Sequence, residues 1–334
     1  MNKQREILLE VRHLSSSFEG DGARHVVVDD VSFSLRRGEC LGIVGESGCG
    51  KSVTALSLAR LLPRPMGRIE GGEVLFAGQD VLRMSARELR RLRGGRMGFI
   101  FQEPMHALNP VQTIGDQIAE TLVLHRGMSA DAAWKEALRL LNFVHMPDPE
   151  QRIAEYPHSL SGGMRQRVVI AMALACRPDL IIADEPTTAL DVTVQLQILS
   201  LIREMREELN AGTLLITHDL GVIAQNCDRV MVMYAGRVVE AADVDELFVA
   251  PLHAYTRALL AATPRLDLPP KTLLPSIPGS VYAPGDWVHG CRFCQRVGVP
   301  ETELTERPPL VETSPGHWVE ACARCAPEAY ALLH

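Results

Sequence analysis

Gly45-Glu46-Ser47-Gly48-Cys49-Gly50-Lys51-Ser52 lies between an apolar run and a helical pattern. In that context the spacing G-x-x-x-x-G-K-[ST] cradles phosphate. The glycines let backbone N–H groups curl around phosphate oxygens, and the helix start adds favourable partial charge. Lys51 would reach the β- and γ-phosphates, and the Ser52 hydroxyl would ligate Mg²⁺. Further along, Leu180-Ile181-Ile182-Ala183 runs apolar into Asp184 and Glu185, two carboxylates at the end of a buried strand. Downstream of a phosphate loop, this position suits Asp184 near Mg²⁺ and Glu185 polarising an attacking water. Ser161-Gly162-Gly163 supplies a third feature. Ser161 is placed to cap the helix after it, and the two glycines bare the first N–H groups, which makes a second phosphate-binding end. Cys291-x-x-Cys294 and Cys322-x-x-Cys325 are two CxxC pairs, a tetrahedral metal pattern.

These residues need strands and helices to hold them, and the chain supplies both in alternation. Val31–Leu35 alternates as a half-buried strand does, and Cys40–Val44 is apolar up to the glycine turn. A helix is expected from Lys51 to Leu62, where Pro63 stops it. From about 85 to 160 the pattern turns helical, including 114–126 and 129–143. A second section follows, with a helix over Gly163–Cys176, a strand at 180–183, a helix over 192–209 and a strand at 213–216. Such alternation predicts an α/β domain around a largely parallel sheet, with 85–160 as a helical insertion. Beyond about 250 prolines accumulate (Pro264, Pro269, Pro270, Pro275, Pro278, Pro284) and periodicity fades, as in a linker leading to a small loop-rich tail.

Composition limits the choices. The chain has 334 residues, 46% hydrophobic and 22% charged, enough for a sizeable core and too apolar for a disordered chain. A net charge of −7 argues against coating nucleic acid. The arginines at 83, 87, 90, 91, 93 and 96 have no interleaved aromatics and are expected as a solvated helix face. No apolar run approaches the roughly 18–20 residues of a membrane span. Met1–Glu10 lacks an apolar signal stretch, so the chain is expected in the cytoplasm, with any membrane role exercised through a partner.

Taken together these motifs resemble the ATP-binding subunits of ABC transporters, over roughly residues 6–250. On that resemblance Leu160–Met164 is the signature motif, Gln102 the Q-loop, Thr188–Asp191 the D-loop region and His218 the switch histidine. Leu160-Ser161-Gly162-Gly163-Met164 departs from the commonest form, which ends in Gln. The Met form followed by Arg165-Gln166-Arg167 is similar to the D-type ATPases of oligopeptide, dipeptide and nickel importers. Phe101-Gln102-Glu103-Pro104-Met105, Ala107-Leu108-Asn109-Pro110 and Pro251-Leu252-His253-Ala254-Tyr255-Thr256-Arg257 look like the same branch.

The resemblance implies a P-loop ABC cassette with a RecA-like core, an antiparallel β subdomain and a helical subdomain at about 103–160. Residues 1–250 would form this nucleotide-binding domain, and 251–334 the branch's C-terminal extension. It implies ATP and Mg²⁺ as cofactors, bound by Gly45 through Val53 with Gln102, Asp184 and Asp191. Ser52, Gln102 and Asp184 would hold Mg²⁺; Lys51, Glu185 and His218 would serve catalysis. Phe18 is the aromatic residue expected to stack on adenine. Two cassettes would pack head to tail, so that Ser161, Gly162 and Gly163 meet the partner's nucleotide. The implied assembly has a second, non-identical ATPase, two membrane permease subunits and an extracytoplasmic solute-binding protein, with this chain peripheral on the cytoplasmic face. Alternatives are a non-transport ABC ATPase and a regulatory cassette; the first usually has paired cassettes or a coiled-coil insertion, and intact Lys51, Asp184, Glu185 and His218 argue against the second.

Importers of this branch often carry a C-terminal [4Fe–4S] cluster. Gly290-Cys291-Arg292-Phe293 and Arg296 resemble the start of its motif, and Cys322 fits its end. Val297 stands where a second Cys belongs, and Leu304 near the expected third. Cys294 and Cys325 are additional. Zn²⁺ and a [4Fe–4S] cluster both take four thiolates, and the paired spacing leans towards zinc.

Overall fold

Strands buried on both faces show no alternation, and Cys40–Val44, Leu180–Asp184 and Gly212–Ile216 bury every side chain. The computed structural model describes residues 6–20, 22–188, 190–264 and 273–333. Residues 1–5 of the charged start, Ala189 of the D-loop region, and Pro269 and Pro270 lie outside the described residues. In chain order the strands are β1 (Ile7–Gly20), β2 (Ala23–Arg36), β3 (Cys40–Val44), β4 (Gly67–Phe76), β5 (Gln79–Asp80), β6 (Met97–Ile100), β7 (Leu180–Asp184), β8 (Gly212–Ile216), β9 (Arg229–Tyr234), β10 (Arg237–Asp243), β11 (Leu310–Ser314) and β12 (His317–Glu320). The helices are α1 (Lys51–Leu58), α2 (Ala86–Leu92), α3 (Pro104–Ala107), α4 (Ile114–Arg126), α5 (Ala130–Phe143), α6 (Pro149–Arg152), α7 (Gly162–Leu174), α8 (Val192–Leu209), α9 (Leu220–Asn226), α10 (Val244–Val249), α11 (Ala254–Ala261), α12 (Arg292–Arg296) and α13 (Pro327–Ala331). None of these helices is long and apolar enough to cross a membrane.

The chain divides into two compact units, one of residues 1–9, 34–40 and 75–216, the other of 10–33, 41–74 and 217–334. In the first, β6, β7 and β8 run parallel, pairing Met97 with Leu180 and Leu180 with Gly212. Helices α4, α5 and α7 pack together. Thr113 and Ser129 cap α4 and α5 through their hydroxyls, and Gly127 ends α4 in the left-handed region. Their inward faces are Ile114, Ile118, Leu122, Ala133, Ala137 and Leu141, all fully buried. The expected helical stretch 85–160 thus holds these helices, but it also contains β6. This strand is fixed from outside, because the N–H groups of Asp179 and Leu180 both donate to the Arg96 carbonyl. Asp179 also pairs with Arg37 at 2.8 Å and Arg96 at 2.7 Å. Leu89 and Leu92 turn inward from α2 while Arg87, Arg90 and Arg91 stay exposed, as a solvated face requires.

In the second unit β3 pairs in parallel with β9, and β9 pairs antiparallel with β10. An antiparallel subdomain has its β2, β1 and β4 side by side in that order here. Helix α1 stops at Leu58 rather than Leu62, because Arg60 takes φ +53 before Pro63 is reached. The C-terminal segment is more integrated than a loop-rich tail. Its hairpin β11–β12 adds to β10, with Glu240 opposite Val319. Its Phe293 and four cysteines share one core with Val44, Val232, Tyr234 and Tyr255.

His317 bolts this hairpin down. Its Nε2 lies 2.8 Å from Glu240 and its Nδ1 3.0 Å from Glu246. Burial opposes the imidazolium, yet the two carboxylates raise the His317 pKa above the ordinary histidine value. Burial likewise opposes the Glu240 carboxylate, but His317 and the N–H groups of Leu252 and His253 hold its pKa below the ordinary value. The His317 contribution is therefore complete below about pH 6.5 and lost as pH rises through the raised native pKa. The Glu240 contribution is present above the ordinary carboxylate range and lost in acid. His317→Ala should loosen β11–β12 and cost about 3–5 kcal/mol, since it unpairs a buried carboxylate. Hydrogen exchange of hairpin amides checks this; wild-type protection in the variant would contradict it.

Candidate nucleotide site and cysteine centre

The phosphate loop is shaped by steric closeness. Gly45 has φ +151, and a Cβ there would lie 2.2 Å from the Met233 carbonyl. Gly50 has φ +103, and its Cβ would meet the Val27 carbonyl at 2.7 Å. Only glycine fits either place. Gly50 stands at the start of α1 with no side-chain cap, the arrangement that turns a helix start towards an anion. Ser47 and Gly48 form the exposed crest of the loop, and Ser52 and Val53 are half-buried in the first turn. Lys51 is buried, and its ammonium donates to the carbonyls of Gly45 at 2.8 Å and Glu46 at 3.0 Å. Burial pushes the Cys49 thiol pKa up despite neighbouring Lys51, so it stays a neutral packing group. Glu46 is held twice: its N–H donates to the Tyr255 hydroxyl at 3.0 Å, and its carboxylate pairs with Arg296. Phe18 is half-buried in β1 beside β4; a Cβ on Gly67 would stand 3.1 Å from its Cζ.

In the other unit, Asp184 closes β7 and is 5% exposed. Glu185 follows with φ +45, a left-handed backbone unusual for glutamate and held by its N–H on the Ile216 carbonyl at 2.9 Å. Its carboxylate accepts from Gln102 Nε2 at 3.3 Å and Thr188 Oγ1 at 2.8 Å. The parallel pairing of β6 and β7 explains the meeting, because Gln102 and Glu185 leave the same ends of adjacent strands. Asp191 caps α8, accepting the Val194 N–H at 3.0 Å. Ser161 caps α7, accepting the Met164 N–H at 3.4 Å. Gly162 is exposed, and a Cβ on Gly163 would lie 2.8 Å from Val194 Cγ1. His218 is exposed just beyond β8. The structure thus gathers Gln102, Glu185 and Thr188 into one group, and Lys51, Gly45 and Glu46 into another. Thr188, Tyr255 and Arg296 fall in stretches the resemblance marks (the D-loop region, the 251–257 motif and the cysteine motif), but their contacts with Glu185 and Glu46 emerge only from the structure.

The four C-terminal cysteines are buried free thiols whose sulphurs all lie within 4.8 Å of one another. Cys294 Sγ is 3.3 Å from Cys325 and 3.6 Å from Cys322, and Cys291 Sγ is 3.7 Å from Cys325. Beside them His253 is fully buried, and burial pushes its pKa down to about 4, leaving it neutral. Its Nδ1 accepts the Tyr255 N–H at 3.2 Å, so Nε2 carries the proton. Among the described residues that N–H has no hydrogen-bond partner; Glu320 Oε2 stands 3.8 Å from Nε2, and Cys291 belongs to the same close group. A buried donor beside Cys291 and Glu320 suits a centre that carries negative charge.

Comparison with known proteins agrees with this geometry. Residues 28–188 match the family model described as ABC transporter, and residues 239–298 that of the oligopeptide/dipeptide transporter C-terminal region. The dipeptide transport ATP-binding protein DppD of Bacillus subtilis is 50% identical over 293 residues, 87% of each chain. The oligopeptide transport ATP-binding protein OppD of Escherichia coli is 47% identical over 310 residues, 93% of this chain and 91% of that one. Among solved structures, the ATP-binding cassette MJ0796, a dimer in a post-hydrolysis state bound to ADP and Pi, superposes with TM-score 0.64 at 28% identity. The match covers 71% of this chain and 98% of that one. Family model, relatives and fold coincide: the chain belongs to the ATP-hydrolysing, ATP-binding subunits of ABC transporters, in the oligopeptide/dipeptide family.

Proposed function

We propose that this chain powers uptake of di- or oligopeptides, or a related solute such as nickel, from the cytoplasmic face of the membrane. It would act with a second, non-identical ATPase, two permease subunits and an extracytoplasmic binding protein. One observation carries the hydrolytic assignment: Glu185, strained into a left-handed backbone at a strand end, is oriented by Gln102 and Thr188. In this reading Lys51 and the loop amides neutralise the phosphates, and Glu185 orients and deprotonates the attacking water. His218 steadies the γ-phosphate, and Phe18 offers a face to adenine. Ser52, Gln102 and Asp184 each provide a hard oxygen of the kind Mg²⁺ takes. The capped start of α7 at Ser161–Gly163 serves a γ-phosphate held by the partner ATPase, and Asp191 keeps α8 in place behind it.

For the cysteine centre, the spacing supports a single tetrahedral ion. Thiolates about 2.3 Å from zinc sit about 3.8 Å apart, close to the separations seen. A [4Fe–4S] cube gives each thiolate its own iron and needs wider-set sulphurs. Two of that cluster's expected ligand positions are Val297 and Leu304. The residues do not fit the cube.

Three measurements follow from these assignments. Glu185→Gln in the assembled transporter should keep ATP affinity and lower turnover about 10²–10⁴-fold; wild-type hydrolysis would remove Glu185 from its role. Gly163→Ala should lower turnover of the assembled transporter about tenfold to a hundredfold without weakening ATP binding to the isolated chain, and adding Val194→Ala should restore it. Loss of ATP binding in the isolated chain would refute the assignment to the partner's nucleotide. Anaerobically purified protein should hold one zinc per chain and neither iron nor sulfide. Iron with sulfide would overturn the single-ion reading, and no metal would overturn the centre.

A further inference from the structure

The nucleotide loop and the cysteine centre belong to the same unit, and one short helix touches both. Helix α12 runs only from Arg292 to Arg296, too short to be stable alone. Cys291 caps it, its Sγ accepting the Cys294 N–H at 3.5 Å, and Cys294 lies within it. Its last residue, Arg296, is 3% exposed and pairs with the Glu46 carboxylate at 2.5 and 3.2 Å. The same guanidinium donates to the carbonyls of Ile277, Pro278 and Gly279, so it cannot swing away freely. Tyr255 completes the hold. Its hydroxyl takes the Glu46 N–H, and its ring packs on Phe293 of α12 with centroids 5.5 Å apart.

Glu46 is thus gripped by side chain and main chain, while its own carbonyl receives Lys51. The route from sulphurs to phosphate lysine is continuous: Cys291 and Cys294, α12, Arg296, Glu46, Lys51. We propose that Arg296 and Tyr255 are positioning residues for the phosphate loop, and that a metal ion in the four-cysteine centre tightens ATP binding through them. This rests on the single-ion reading of that centre. Both residues reach the phosphate loop through Glu46. They fix the direction of the loop amides and the reach of Lys51, so the ion holds the loop indirectly by holding α12.

The test uses the full-length chain with zinc and a fluorescent ATP analogue. Removing zinc by chelation should weaken ATP binding about five- to tenfold, and bound ATP should tighten zinc by the same factor, since coupling is reciprocal. Arg296→Met should retain zinc but bind ATP as weakly as the stripped wild type, with no further loss on chelation. Tyr255→Phe should weaken ATP binding and retain zinc. In the assembled transporter Arg296→Met should raise the KM for ATP and leave kcat nearly unchanged; Arg296→Lys should recover part of the affinity. An equal chelation effect in wild type and Arg296→Met, or no effect in either, would overturn the coupling. A chain that takes up no zinc would overturn the cysteine reading and the metal dependence together. The clamp would still be judged separately, by whether Arg296→Met and Glu46→Gln raise the KM.

Discussion

A phosphate loop works by the direction of its backbone N–H groups, and its own short side chains, Lys51 apart, do little to steer them. The loop therefore depends on what crowds it. Here the Met233 and Val27 carbonyls stand so close to Gly45 and Gly50 that a Cβ at either position would clash. The sheet pairing of β9 beside β3 brings Met233 there, with Val44 opposite Val232. Close approach acts beside the hydrogen bonds that Tyr255 and Lys51 make to the loop, and it requires rigid neighbours. Buried strands supply that rigidity because interiors packed at crystal-like density resist small shifts.

The acidic end of β7 meets the opposite demand. In the role proposed for it, the Glu185 carboxylate must be held in direction yet stay available to water. Glu185 is half-buried, with its N–H tied to Ile216 and its carboxylate accepting from Gln102 and Thr188. The adjacent Asp184 is more deeply buried. Two neighbouring carboxylates thereby receive separate environments, as two separate roles require.

Local chemistry was legible in the sequence, and long-range contact was not. The strand–loop–helix at Val44–Lys51, the Ser161 cap and the strand into Asp184 follow from spacing within a few residues. The cysteine pairs were legible too, because two CxxC turns restrict the arrangements open to four sulphurs. β6 escaped notice because Met97–Ile100 is short and has no alternation, and its partner Leu180 lies far along the chain. The Tyr255 and Arg296 contacts with Glu46 span 209 and 250 residues, where no periodicity can report them. Both residues sit in stretches that resemble the importer branch, but resemblance marks a stretch and says nothing of which distant residue each side chain meets.

The C-terminal segment shows why burial alone could not replace the cysteines. Its helices α12 and α13 have five residues each, and β11 and β12 have five and four. Pieces this short cannot repay their ordering entropy by local hydrogen bonds, so they need cross-links or a shared core. The segment has the shared core, and the proposed ion would supply the cross-link. Phe293 enters the core with Tyr234 and Tyr255, while sulphurs from the α12 end and from beyond β12 converge on one point. Cys291 Sγ is also the cap of α12, and a helix start favours negative charge on its cap. A thiolate bound to a cation keeps that charge when buried, so ligation and capping reinforce each other on a single atom. A covalent disulfide would join two of these sulphurs and leave the other two unpaired; a tetrahedral ion draws in all four and stays reversible.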